Sequence, residues 1–268
     1  KSVHELLINV LLKDPSSEVR KAALVQIDIS PNTVEFVLTR ARDVDPMIRR
    51  QFFAQKMQEI DIQLLSLEQR DYVLKSGLTD RDEMVKKACV EMIFNYWLPK
   101  TNSNLVQFLT SLDVVSNRPV AVNALHAFFG TIPDLFSSFP DSYFDHLTVE
   151  TAFILTCYCE YVKDASRVHA LLPELSKVAT SIQKFYQYLV AVDGDDAAKA
   201  EVEFILSELM TVSGWMDGGD EVGRRQLQSV LEEIMLNMNI SDELFKKCCV
   251  LLRQFTPDLS GFVELMLS

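Results

Sequence analysis

The sequence predicts an all-α protein, a solenoid in which pairs of helices stack on one another along the chain. Three observations support this prediction: a motif that recurs every few dozen residues, a low glycine content, and a composition typical of folded chains. Only 8 of the 268 residues are glycine, about half the usual level of roughly 7%, which disfavours folds built from tight hairpin turns. Hydrophobic residues make up 48% and charged residues 24%, a composition that supports a large core and excludes disorder.

The recurring motif begins at Asp14, Asp43 and Asp80, so its copies start 29 and 37 residues apart. Each copy contains an Asp-led turn, an aliphatic residue five positions later, two basic residues and then an apolar helical stretch. Another helical stretch precedes each copy. One such pair cannot bury its apolar face alone, so neighbouring pairs stack. The pattern is that of HEAT repeats, and it predicts a HEAT-repeat α-solenoid, an alpha-alpha superhelix.

The spacing of apolar residues assigns the helices in order along the chain. We predict alternating helices over 3–28, 32–57, 66–96, 103–130, 148–190, 198–237 and 241–267. Gly77 and Pro99 are expected at helix ends, and weaker copies of the motif lie at 112–125 and 242–250. The segments 136–145 and 192–198 are predicted to be surface loops.

Charge is distributed unevenly along the chain. Residues 1–100 carry 15 basic and 15 acidic side chains, whereas residues 101–268 carry 11 and 23, which accounts for the whole net charge of −12. An anionic partner should therefore prefer the first hundred residues, and only if their basic groups share one face. We expect residues 1–130 to form HEAT repeats with a basic inner face and residues 131–268 to form an acidic continuation of the array.

The two basic residues of each copy are the candidate site. If Val85 points to the core, the 100° step per residue places Lys86 on the flank of its helix and Lys87 about 200° away, facing outward. In the other copies the first member is likewise a flank residue and the second an outward one. The six candidates are Arg20, Lys21, Arg49, Arg50, Lys86 and Lys87.

Each class of basic residue has a structural and a functional interpretation. A flanking cation can bond the aspartate that opens its own or the neighbouring repeat, which would form a structural ladder. An outward cation can be an ordinary solvated charge, or it can contact phosphates as part of a basic stripe that binds nucleic acid without reading bases. Arg40 and Arg42 add to the same neighbourhood, whereas Arg224 and Arg225 are expected on an exposed helical face.

The sequence contains no recognisable catalytic, metal or cofactor motif. The 4 histidines are scattered and lack partners at metal-ligand spacing. P-loop, dinucleotide-binding, kinase and nucleophile-elbow motifs are absent, and the acidic loop at 193–196 lacks the spacing of an EF-hand. We therefore expect neither an enzyme nor a bound cofactor or metal. The longest uncharged apolar stretch, at 151–159, is much shorter than the roughly 20 residues of a membrane span, so no membrane partner is expected.

Ordered strings along most of the chain resemble the HEAT-repeat subunit family of condensin, CAP-G or condensin complex subunit 3. They lie at 14–24, 38–50, 65–70, 77–87, 97–98, 112–128, 147–161 and 223–225. Their common order is more specific than any single HEAT motif. The chain begins without methionine and ends within a periodic segment, so we expect it to be part of a longer polypeptide.

The resemblance implies a non-catalytic regulatory subunit that binds the kleisin subunit (CAP-H) and, with it, double-stranded DNA without sequence specificity in mitotic chromosome condensation. The SMC ATPases of that complex would supply the motor activity. The implied location is the nucleus and the chromosome, with a cytoplasmic phase in the cell cycle. The family's basic DNA contacts correspond here to the six candidates, and no motif identifies the kleisin-contacting residues. The alternative is a purely protein-binding HEAT scaffold, such as a nuclear transport receptor or a phosphatase scaffold.

Overall fold

The computed structural model describes residues 3–132, 134–192, 194–237 and 239–256. Within these ranges all regular secondary structure is helical, so the all-α prediction is confirmed for the described residues. The chain divides into two compact units, Lys1–Ala127 and Phe128–Ser268.

Short helices build the first unit. They are α1 (Val3–Lys13), α2 (Ser17–Gln26), α3 (Val34–Leu38), α4 (Pro46–Ala54), α5 (Leu67–Leu78), α6 (Glu83–Met92), α7 (Leu98–Lys100), α8 (Leu105–Thr110) and α9 (Arg118–Thr131), whose last residues belong to the second unit. Three 3₁₀ turns, Thr39–Arg42, Lys56–Glu59 and Ile62–Leu64, and a π turn, Ile93–Trp97, lie between them.

Helix pairs in the first unit form two layers. Helices α1, α3 and α5 are the first members of three successive pairs, and α2, α4 and α6 are the second members. Helix α4 packs against both α2 and α6, so the second helices form one layer. Helix α1 packs against α3, and α5 packs against the 3₁₀ turn that extends α3, so the first helices form the other. The repeat motif predicts this two-layer stacking.

The apolar face of α6 explains why this motif folds as a helix against its neighbours. Val85, Ala88, Cys89 and Met92 are each at most 4% exposed, at the i, i+3, i+4 and i+7 positions of an amphipathic helix. The Asp82 side chain accepts hydrogen bonds from the backbone N–H groups of residues 84 and 85, which satisfies donors that the first helical turn leaves unpaired. The predicted inward face of this copy is confirmed.

The helix that contains α6 continues past the predicted end at Pro99. The π turn joins α6 to α7, and the backbone N–H of Leu98 donates to the carbonyl oxygen of Ile93. Proline has no N–H, and its ring crowds the carbonyl group four residues earlier, so a wide turn just before Pro99 lets the helix pass the proline. Trp97, within this turn, is fully buried.

The second unit contains longer helices. They are α10 (Val149–Val162), α11 (Ala165–Leu171), α12 (Leu175–Ala191), α13 (Asp196–Ser213), α14 (Glu221–Met235) and α15 (Asp242–Phe255), with a 3₁₀ turn at Asp141–Asp145. Helix α12 packs against α14, and α13 packs against both α10 and α15. The consecutive helices α12 and α13 are in contact, as are α14 and α15, so helix pairs in two layers build this unit as well.

The segment 136–145 lies at the surface without α-helix, as the sequence predicts, but two of its aromatic side chains are buried. Phe139 and Phe144 are 2% and 1% exposed, and the rings of Phe136 and Phe139 lie 5.0 and 6.1 Å from the ring of Tyr158 on α10. Aromatic side chains bury a large apolar area even from irregular backbone. The lack of helical spacing correctly indicates the absence of an α-helix, and the aromatic content of the segment explains why part of it is buried.

Three further predictions can be compared with the second unit. In the copy of the motif at 242–250, Phe245 aligns with Val85 but is 40% exposed, whereas the preceding Leu244 is 1% exposed. The buried position of this copy is therefore shifted by one residue. The helix predicted over 241–267 is observed up to Phe255, and residues 257–268 lie outside the described part of the chain. The second predicted loop is shorter than expected, because α13 already begins at Asp196.

Candidate nucleic-acid interface

Three aspartates open the second helices of the first unit in the same way. The side chains of Asp14, Asp43 and Asp80 each accept a hydrogen bond from the backbone N–H two residues later, at 2.8–2.9 Å. This turn directs the chain into α2, α4 and α6. The aspartate that marks each copy of the motif is therefore a turn-forming residue.

Arg20 and Arg49 connect successive turns into a ladder. The Nε and Nη2 groups of Arg20 donate to the two carboxylate oxygens of Asp43 at 3.1 and 2.8 Å, and those of Arg49 donate to Asp80 at 2.7 and 2.9 Å. The Nη1 group of each arginine donates to the backbone carbonyl of the aspartate that opens its own repeat, Asp14 or Asp43. Each arginine therefore bonds its own turn and the next one, which confirms the ladder interpretation for these two residues.

The ladder is buried. Arg20 and Arg49 are 7% and 5% exposed, and Asp43 is 5% exposed. Burial alone would raise the pKa of Asp43, but the hydrogen bonds from Arg20 and from the backbone N–H of Asp45 outweigh it and hold that pKa below its usual value. The same balance lowers the pKa of Asp80 beside Arg49. Both carboxylates are therefore ionised at neutral pH.

These contacts give the flanking arginines a different role from the outward cations. Moving the guanidinium group of Arg20 or Arg49 to a phosphate would leave a buried carboxylate without its partner, which is costly. Both arginines therefore serve the structure of the unit, which leaves the outward cations as candidates for contact with a partner.

Lys21, Arg50 and Lys87 immediately follow the flanking positions on α2, α4 and α6. Arg50 and Lys87 are exposed, and Lys21 is half-buried. Within the described residues Lys21 and Arg50 have no ion-pair partner, and Lys87 Nζ lies 3.9 Å from Glu91 Oε1 at the surface. Because α4 packs between α2 and α6, at a typical helix spacing of about 8–10 Å, the three cations hold equivalent positions on adjacent helices.

Lys86 does not continue the ladder. Its Nζ lies 2.6 Å from Glu83 Oε1 on the same helix, and its side chain is 35% exposed. The next motif aspartate, Asp113, instead accepts a hydrogen bond from the Ser116 hydroxyl at 2.7 Å. A lysine lacks the fork of donors that lets an arginine bond two oxygens and a carbonyl group at once. Lys86 therefore stays at the surface, within the predicted neighbourhood.

Arg40 and Arg42 occupy different environments. Arg40 Nη1 donates to Asp43 at 2.7 Å, so Arg40 belongs to the buried ladder. Arg42 donates from Nε to Ser76 Oγ at 2.9 Å, and its guanidinium carbon lies 4.9 Å from the centroid of the Tyr72 ring. Arg42 is exposed and adds positive charge on the side of α5.

Arg81 is an exposed cation that is not among the six candidates predicted from the repeat motif. It directly follows Asp80 and contributes to the lowered pKa of that carboxylate. The copies of the motif carry Pro15 and Val44 at this position, so the alignment of the repeats contains no signal for it.

The remaining candidates add no second site. Arg224 donates to the carbonyl oxygen of Gly218 at 3.2 Å, and the exposed Arg225 pairs with Glu221 on its own helix. Among the described residues no group of three or more His, Cys, Asp or Glu side chains is placed to hold a metal ion. In the same part of the chain, none of the helices combines the length and apolarity needed to cross a membrane.

The chain matches no protein-family model, but it is similar to named proteins over most of its length. It is 34% identical over 269 residues to condensin complex subunit 3 of Schizosaccharomyces pombe, covering 98% of the chain and 30% of that relative. It is 28% identical over 246 residues to the human protein of the same name, covering 83% of the chain and 24% of the relative. It also matches a chain in the crystal structure of the S. pombe condensin Cnd3–Cnd2 subcomplex with a TM-score of 0.90 at 33% identity, covering 100% of the chain and 37% of that chain.

The chain belongs to the condensin subunit 3 family.

Membership of the condensin subunit 3 family confirms the resemblance and the fold class, a HEAT-repeat α-solenoid, because the match to the solved condensin structure extends over the whole chain. The chain spans between 24% and 30% of the length of the curated condensin relatives it matches. The match to the S. pombe subunit covers 98% of the chain, so it includes the ladder and the outward cations.

Proposed function

We propose that this chain is part of a non-catalytic regulatory subunit of condensin that contacts double-stranded DNA through its phosphates and binds a kleisin subunit. The observation that carries the DNA contact is the set of outward cations on adjacent helices, Lys21, Arg50 and Lys87. The flanking arginines are hydrogen-bonded within the ladder, which holds the helices in register. The three outward cations therefore remain available to a partner. A row of cations neutralises phosphates and releases their counterions, and it reads no base edges, so binding is independent of sequence.

The distribution of charge supports assigning DNA to the first unit. Residues 1–100 have no net charge, whereas residues 101–268 carry the whole excess of 12 acidic groups. An acidic surface repels a duplex, so the second unit is better suited to a protein partner. The solved relative forms a subcomplex with Cnd2, which supports a kleisin as that partner. Within the complex the chain would act with the SMC ATPases on chromosomes in the nucleus and reside in the cytoplasm for part of the cell cycle.

A charge-reversal variant of the three outward cations tests the DNA contact. In the full-length subunit bound to its kleisin, Lys21→Glu, Arg50→Glu and Lys87→Glu together should weaken duplex binding. Each lost phosphate contact should reduce the slope of log K against log salt by about 0.9, so the triple variant should lose roughly 2 to 3 units of slope. Fluorescence anisotropy with a labelled duplex at a series of salt concentrations measures both quantities.

A charge-matched variant controls for the change in total charge. Arg167, Arg225 and Lys246 are exposed cations of the second unit, and their triple replacement by glutamate should leave the slope near that of the unmodified protein. Equal loss of slope in both triple variants, or no loss in either, would contradict the proposed contact. Circular dichroism should show the same helix content in all three proteins, because none of the replaced side chains belongs to the ladder.

The alternative, a HEAT scaffold that binds only proteins, makes a different prediction. A transport receptor or a phosphatase scaffold has no reason to retain a kleisin. Co-purification of the full-length subunit with a tagged kleisin, with and without the triple variant of the outward cations, separates the two functions. We expect the kleisin to be retained in both cases, and loss of retention in the unmodified protein would favour the scaffold.

A further inference from the structure

Two methionines on the outward face of the first unit are unusually exposed. Met47 on α4 and Met84 on α6 expose 55% and 48% of their surface, although methionine is commonly buried. They occupy the same position in their repeats, four residues after Asp43 and Asp80 respectively. In the first copy this position holds Glu18, so among the three copies only those on α4 and α6 carry an exposed methionine there.

The methionines lie beside the outward cations. Residues three apart are neighbours on a helix surface, so Met47 is next to Arg50 and Met84 is next to Lys87. Because α4 and α6 pack against each other, the two apolar–basic pairs sit on neighbouring helices.

The turn at the start of each helix fixes the backbone of both methionines. The N–H of Met47 donates to Asp45 Oδ1 and the N–H of Met84 donates to Asp82 Oδ1, each at 2.8 Å. The backbone is therefore held at both positions by the same cap, while the flexible thioether side chain projects from it. A fixed backbone with an adaptable apolar side chain suits contact with a surface whose detail varies.

We propose that Met47 and Met84 contact the same duplex as the outward cations, packing against the apolar C–H faces of deoxyribose between the phosphates bound by Arg50 and Lys87. This inference rests on the proposed function. Charge complementarity favours an anionic occupant, because Arg50 has no ion-pair partner among the described residues, and the duplex of the proposed function is such an anion. Every nucleotide presents the same sugar, so such contacts add affinity without adding sequence preference.

Ionic and apolar contacts differ in their dependence on salt, which makes the inference testable. Phosphate contacts set the slope of log K against log salt, because they release counterions. Burial of apolar surface releases no counterions, so it changes log K by the same amount at every salt concentration. The variant Met47→Gln with Met84→Gln, in the full-length subunit bound to its kleisin, should therefore bind a duplex roughly tenfold more weakly at every salt concentration. Its slope should be unchanged.

Three comparison variants sharpen the experiment. Met47→Leu with Met84→Leu keeps the apolar character and should restore most of the affinity. Arg50→Gln with Lys87→Gln should flatten the slope by roughly 2 units. Leu64→Gln replaces another exposed apolar residue of the first unit, 82% exposed but outside the α4 and α6 faces, and it should leave binding unchanged.

The outcomes separate the inference from the proposed function. If the glutamine variant of the methionines binds like the unmodified protein while the cation variant loses slope, the methionine contact is overturned and the phosphate contact stands. If neither variant changes binding, the proposed function fails and the inference fails with it. If the methionine variant loses its kleisin and binds DNA normally once kleisin is supplied in excess, the methionines belong to a protein interface and the inference is overturned.

Discussion

At the scale of single residues, the Asp43 side chain connects two arginines and a backbone turn of the first unit. Its carboxylate accepts hydrogen bonds from Arg20, Arg40 and the backbone N–H of Asp45. Its side chain is only 1% exposed. Removing the charge of Asp43 would therefore leave buried arginine cations without compensation.

The variant Asp43→Asn should lower the free energy of unfolding at pH 7 by about 3–5 kcal/mol, the usual result of removing one partner of a buried ion pair. Urea unfolding followed by circular dichroism measures this change. The control is Glu91→Gln, which removes the surface partner of Lys87 at 3.9 Å and should cost at most about 1 kcal/mol. Equal effects of the two substitutions would contradict the ladder.

The same variant should also alter the dependence of stability on pH. The pKa of Asp43 is lower in the folded chain than usual, so its contribution is complete above the unfolded value of about 3.9 and is lost as the pH falls through the folded value. The difference between the unmodified protein and Asp43→Asn should therefore shrink as the pH is lowered from 7 to 3. A difference that is constant over this range would show that the ionised pair is not its source.

The repeat motif predicted the residues of the ladder and their bonding to the motif aspartates, but it left open whether each arginine bonds its own or the next repeat. The helix phase of Val85 follows from local apolar spacing, and its burial was correctly expected. The partners of Arg20 and Arg49 lie 23 and 31 residues further along the chain, a separation that varies between repeats and that no local pattern specifies. Val19 illustrates the same limit, because it aligns with Val85 in the motif yet is 41% exposed.

At the scale of elements, the close approach of α5 to its neighbours depends on one glycine. Gly77 is buried, and a Cβ atom there would lie 2.5 Å from Cys89 Sγ and 2.7 Å from Phe53 Cζ. The sequence suggested Gly77 only as a helix end. Its role in packing depends on α4 and α6, which contribute Phe53 and Cys89 from distant parts of the chain.

Gly77→Ala should destabilise the protein by about 1–3 kcal/mol, because overpacking a dense core outweighs the gain in helix propensity of about 1 kcal/mol. Gly130→Ala is the matched control, since Gly130 is also helical but exposed, and its Cβ would meet nothing nearer than Tyr161 Oη at 3.9 Å. That variant should be neutral or slightly stabilising. Urea unfolding of both proteins measures the difference, and a neutral result for Gly77→Ala would show that α5 can move away at little cost.

At the scale of the whole molecule, charge and repeat structure support the proposed division of partners between the two units. The ladder uses the flanking arginines of the first unit internally, so its outward cations are available to an anion although the net charge of residues 1–100 is zero. The second unit has no such compensation, since acidic groups outnumber basic ones by 22 to 10 over residues 128–268. Contact with a duplex should therefore be confined to the first unit.

Lysine footprinting of the full-length subunit bound to its kleisin measures this distribution directly. A duplex should protect Lys21 and Lys87 from acetylation, as read by mass spectrometry, and should leave the exposed Lys163 and Lys246 of the second unit unchanged. Raising the salt to about 0.5 M should remove the protection, because the screening length falls well below 10 Å and the counterion gain disappears. Protection of Lys163 and Lys246 to the same extent as Lys21 would mean that the acidic half also contacts DNA, and it would refute a division of partners based on charge.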